Sequence, residues 1–138
     1  RYAQAVPADK VTWVPFEGGR STLEIAREIA LCPGWADDIV SGKDLKWDEA
    51  EMAAAEQEGN ALADLAACRA EFDRRFAKFS ATVKAFPDER LTDTKWLPFD
   101  GGRDHDYFEM MDYPRWNCNY HTGQIAMIQM ALGDKAMY

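Results

Sequence analysis

The sequence predicts an all-α protein: a four-helix bundle with a short or truncated first helix, in a single domain spanning residues 1–138. Three observations predict it. Ser21 with Glu24, and Asp48 with Glu51, have the three-residue separation of a capping box and stand ahead of helix-forming segments. Leu62, Leu65, Phe72, Phe76, Phe79, Val83 and Phe86 follow the three- and four-residue steps of a helix packed in a bundle. No stretch reads convincingly as a strand, because 11–14 and 95–99 are short and run into proline.

Residues 2–6 read as the last turn or two of a helix. The Ser21 box opens a helix carrying Ile25, Ile29, Cys32, Trp35, Ala36 and Ile39 on one side. Pro33 and Gly34 are expected to kink or interrupt it, and Ser41, Gly42 and Lys43 to end it. Asp48 opens an Ala/Glu-rich segment that Gly59 breaks, and Asn60 is positioned to cap the long seam helix. Pro87 and Asp88 stop that helix. One seam position holds a charge, Arg69, which is therefore expected to point inward. An extended link over 91–96 leads to the last helix, about 104 to 132, with Pro114 kinking or dividing it and Gly133 ending it.

A chain of 138 residues can bury a sizeable core. Its net charge of −8 argues against nucleic acid or an anionic membrane as the main partner. It contains no run of 18 apolar residues and no apolar stretch of a signal peptide near the start. Three cysteines, Cys32, Cys68 and Cys118, lack CxxC spacing, which suits structural thiols in a reducing cytoplasm.

One octapeptide is spelled nearly twice, WVPFEGGR at 13–20 and WLPFDGGR at 96–103. Each copy has an aromatic-X-Pro-aromatic core, an acid, and Gly-Gly-Arg, and each precedes a helix. Proline holds its predecessor extended and the glycines permit a sharp turn, so each copy is expected to plug one end of the bundle with its Trp and Phe. The alternative is an internal pseudo-twofold. A phosphate loop is disfavoured, because Glu17 and Asp100 would repel the anion.

The chemistry concentrates in WNCNYHTGQIAMIQMALGD, residues 116–134. On a helix, Asn117, His121, Gln124, Ile128 and Leu132 form one stripe, whose near half puts three polar side chains into the core. Glu28 falls inside the apolar arc of its own helix. Three explanations compete. Glu28, Asn117 and His121 can bind a divalent metal such as zinc, nickel, manganese or iron. Glu28 and Arg69 can form a buried ion pair with His121 beside it. Or His121 is a satisfied core histidine. His105 lies about 16 residues, roughly 24 Å of helix, from His121 and reads as a surface residue. The acidic run over 48–58 reads as a solvated helix face.

The segment YHTGQI at 120–125, with Ile128, Gln129 and the Leu-Gly-Asp at 132–134, resembles the closing helix of the DinB-like, or YfiT-like, superfamily. The DKVTW at 9–13, the GGRS at 18–21 and the LEIAREIA at 23–30 are similar to that family's entry into its second helix. The resemblance covers nearly the whole chain. It implies an up-down-down-up four-helix bundle with a crossover between helices 2 and 3. It also implies a metal site of one His on helix 2 and an H-x-x-x-H pair on the last helix. Those positions fall on Glu28, Asn117 and His121, so two of three imidazoles are replaced.

Two functions follow as expectations. One is a metal-dependent transferase or hydrolase acting on a small-molecule or thiol substrate, with Glu28, Asn117 and His121 holding the metal. The other is a non-catalytic binding or stress-associated bundle with a Glu28–Arg69 ion pair. A homodimer is expected in either case.

Overall fold

The structure, a computed structural model, describes residues 1–46, 48–98, 101–134 and 136. It is mostly helical: α1 (Tyr2–Ala5), α2 (Thr22–Val40), α3 (Glu49–Asn60), α4 (Leu65–Ala85) and α5 (Tyr107–Ala131). A two-stranded antiparallel sheet, β1 (Thr94–Leu97) and β2 (Arg103–Asp106), joins α4 to α5. The sheet corrects the strand-free reading. Gly101 and Gly102 both take positive φ, at 84° and 85°, and turn the chain back on itself. Pro98 follows the last paired residue of β1, so it costs the ladder nothing.

The helix starts follow the local code. Ser21 and Glu24 form the reciprocal capping box of α2. Asp48 caps α3 through the Glu51 N–H, but the Glu51 carboxylate accepts from Lys46 instead of closing a box. Asp64, not Asn60, caps α4. Asn60 accepts from Arg27, which ties the end of α3 to α2. The last helix starts at Tyr107 under an Asp106 cap, and residues 103–106 ahead of it are strand. Pro33 and Pro114 lie inside helices that continue through them.

The core lies between α2 and its two long neighbours, α4 and α5. At one end of α2, Ile25 packs with Val6, Ile125 and Ile128, and Trp13 closes over them. On another side of the same half of α2, Leu23, Ala26, Ala30 and Cys68 meet, flanked by Leu65 and Phe72. At the other end, Ala36, Ile39 and Val40 pack with Phe79, Leu97, Tyr107 and Met110. Asp37 is buried on α2, where Lys78 and Thr82 of α4 reach it at 2.8 and 2.5 Å. Gly34 leaves room on α2 for Arg75, which bridges Glu71 of α4 and Glu58 of α3.

The two octapeptides pack at opposite ends of α2, as expected, but not as paired plugs. Trp13 is partly buried in the first copy and Leu97 is buried in the second. Phe16 and Trp96 stay 56% and 61% exposed, and Phe99 lies outside the described residues. Each exposed ring instead lies over the second glycine of its own copy, Phe16 against Gly19 and Trp96 against Gly102. The first copy forms a loop and the second a hairpin, so the repeat does not produce two equal halves.

Among the described residues, no helix is long and apolar enough to cross a membrane.

Candidate functional site

The capping box fixes where α2 begins and so sets Glu28 almost two turns along it. On α5, Asn117 and His121 stand one turn apart on the buried face, each under 3% exposed. The three residues expected to share a site do meet. His121 Nε2 lies 2.8 Å from Glu28 Oε1, and Asn117 Nδ2 donates to the same oxygen at 3.5 Å. His121 Nδ1 lies 2.7 Å from Gln124 Oε1. Both ring nitrogens thus face oxygens. An imidazolium satisfies that arrangement, as does a neutral ring with the Gln124 amide turned end for end.

The fourth member is Arg20, the last residue of the first octapeptide. Its Nη1 donates to Glu28 Oε2 at 2.5 Å, and its Nη2 to the Glu24 carbonyl at 3.1 Å. Sequence reasoning passed over Arg20. Its one signal was its place just ahead of the N-cap, on the chain entering α2. The bond to His121 and the Arg20 guanidinium hold the Glu28 carboxyl down at about 2, although burial pushes it up.

Arg69 is not part of the cluster, which corrects the expected Glu28–Arg69 pair. It points to solvent and pairs with Asp73 one turn on, at 2.7 Å. A guanidinium that can reach an acid on its own helix surface has no reason to bear the cost of desolvation. Phe76 of the same seam is also 43% exposed, so the seam is only partly interior.

His105 corrects a second expectation. It is 7% exposed, on β2, with Nδ1 at 3.4 Å from Glu109 Oε2. Strand alternation turns it inward with Leu97, where helix spacing would have left it on the surface. Glu109 also takes both terminal nitrogens of Arg103, the last residue of the second octapeptide. The repeat therefore ends, in both copies, on an arginine that clamps a glutamate in contact with a histidine. These are Arg20–Glu28–His121 and Arg103–Glu109–His105. The second cluster borders a 490 Å³ pocket with Ile39, Met110 and Trp116.

Glu28 and Arg20 open onto a groove of about 1410 Å³ between α2 and α3, lined also by Leu31, Trp35 and Met52. Burial, with Cys118 and Glu28 nearby, raises the Cys32 thiol far above its ordinary range. Burial likewise raises Cys118 and Cys68. All three are free and suited to packing, since thiolate is what reacts.

The donor set fits a divalent ion poorly. One carboxylate oxygen and the imidazole Nε2 are spent on each other, and a guanidinium holds the second oxygen, where it would repel a cation. Asn117 turns its amide nitrogen, not its oxygen, toward Glu28. Among the described residues, no group of three or more His, Cys, Asp or Glu side chains is placed to hold a metal. No family model, no curated protein and no solved structure matches the chain.

Proposed function

We propose that the chain is a non-catalytic binding protein built as a DinB-like four-helix bundle. In this reading α1, α2, α4 and α5 are the four helices, running up-down-down-up, and α3 rides on the crossover. The metal position implied by the resemblance is taken over by the Arg20–Glu28–His121 cluster. The groove onto which Glu28 and Arg20 open takes a small-molecule ligand. One observation carries this reading: Arg20 and His121 between them occupy both oxygens of Glu28.

The competing reading is a metal-dependent transferase or hydrolase on Glu28, Asn117 and His121. It draws on one atom, Asn117 Oδ1, an acceptor buried without a hydrogen-bond partner among the described residues. The test is elemental analysis of protein purified without chelator, then titration with zinc, nickel and manganese. The expected result is well below one equivalent for each metal. About one equivalent in the native protein, lost in both Glu28→Ala and His121→Ala, would overturn the proposal in favour of the enzyme.

A further inference from the structure

We propose that two copies of this chain pair antiparallel along the outer face of α5, about a twofold axis between residues 121 and 122. Helix α5 has two unlike faces. His121, Ile125 and Ile128 are buried on one. Turned roughly 140° from them, taking 3.6 residues per turn, run Tyr113, Trp116, Tyr120, Gly123, Met127 and Met130. These fall at alternating three- and four-residue steps, the seam along which helices pack at a shallow angle. Their own chain leaves four of the side chains open: Trp116 is 52% exposed, Tyr120 53%, Met127 39% and Met130 65%, while Tyr113 is half-buried. A Cβ added at Gly123 would meet nothing within 4 Å.

The order of sizes along the seam selects the occupant. Three rings come first, then a gap at Gly123, then two methionines. A second copy run antiparallel sets Tyr113 on Met130, Trp116 on Met127, and Tyr120 over the notch at Gly123. Each ring meets a pliant thioether or an empty place, and thioether–ring contact is favourable. A parallel copy would set ring on ring at 116 and 120 and leave a void between two glycines. The rings are already ordered by stacking, Tyr113 to Trp116 at 5.7 Å and Trp116 to Tyr120 at 5.4 Å, so little freedom remains to be lost on pairing. Glu109 and Asp112, at the start of the seam, are paired with Arg103 and Arg115 of their own chain, which limits like-charge repulsion between copies.

The apolar area offered is that of a small dimer. Half of an aromatic side chain's 150–250 Å² at Trp116 and at Tyr120 gives roughly 150–250 Å² per copy from these two rings, to which Met127, Met130 and the flanks add. The pairing therefore belongs with small interfaces, whose occupancy depends on concentration.

The test is sedimentation equilibrium over a concentration series. The wild type is expected to reach twice its 15.6 kDa chain mass. Trp116→Glu and Gly123→Leu should each weaken association at least tenfold with helical circular dichroism retained. Orientation is read in a Cys118→Ser background, by mixing Trp116→Cys protein with Met127→Cys protein under mild oxidation. A disulfide should form only in the mixture, because like positions sit about 16 Å apart along the axis. A monomer at every concentration, association untouched by both substitutions, or either cysteine variant cross-linking to itself would each overturn the proposal. Trp116, Gly123 and Met127 make no hydrogen bond to the Glu28 cluster, so this outcome is separate from the fate of the binding-protein reading.

Discussion

His121 on α5 and Glu28 on α2 meet at 2.8 Å, Nε2 to Oε1, where the buried face of α5 packs on α2. The contact gives the polar stripe of α5 a reason to be inside. An imidazole under 2% exposed must be satisfied, and a carboxylate already held by Arg20 is a strong acceptor.

Removing either partner strips the other of its shortest bond across the two helices and leaves His121 Nε2 or Glu28 Oε1 short of a partner. Glu28→Ala and His121→Ala are each expected to cost about 1–3 kcal/mol in urea-unfolding free energy. Asn117→Leu should stay within about 1 kcal/mol of wild type, because it also removes an acceptor that has no partner among the described residues. If Asn117→Leu proved as costly as His121→Ala, the amide would hold more of the cluster than its 3.5 Å bond suggests.

The cluster also sets a pH dependence. Its hydrogen bond to His121, with help from Arg20, keeps the Glu28 carboxyl at about 2 against an ordinary 4.5. A carboxyl lowered in the native state contributes stability that is full above the unfolded value and fades as pH falls from about 4.5 toward 2. Solvent reaches Glu28 in part, so the contribution is about 1–2 kcal/mol. The unfolding free energy of wild type minus that of Glu28→Gln should therefore be smaller at pH 3 than at pH 7. An equal difference at both pH values would mean that the carboxylate charge contributes nothing.

Asp37 fastens α2 to α4. Burial pushes its carboxyl up, but the bonds from Lys78 and Thr82 outweigh burial and leave it below the ordinary range. Asp37→Ala is expected to cost about 1–3 kcal/mol, while Lys78→Ala, at a side chain 69% exposed, should cost under about 1 kcal/mol. A double-mutant cycle checks the pair, and a coupling near zero would reassign the cost to Thr82 and packing.

The two octapeptide arginines should not be equal. Arg103 and Glu109 are both nearly half exposed, so Arg103→Ala is expected to lie within about 1 kcal/mol of wild type. Arg20 serves a more buried carboxylate that also holds His121, so Arg20→Ala should cost more than Arg103→Ala when both are measured by urea unfolding. Equal losses would remove the distinction drawn between the two clusters.

The sequence by itself determined the features that depend on neighbours a few residues away. The caps at Ser21 and Asp48 were legible because cap and partner N–H are three residues apart. The inward stripe of Asn117 and His121 was legible because one turn of helix fixes it, and Glu28 stood out as a carboxylate inside an apolar arc. The tertiary structure decided which groups pair. Arg69 lay on the seam by period, yet Asp73 offered it an exposed partner and it turned outward. Arg20 reached Glu28 because the loop before α2 brings it there. His105 went inside because a hairpin, closed by two left-handed glycines, replaced the helix that spacing suggested. Periodicity says which face of an element is buried. What that face meets depends on where distant segments come to rest, and no local spacing carries that information.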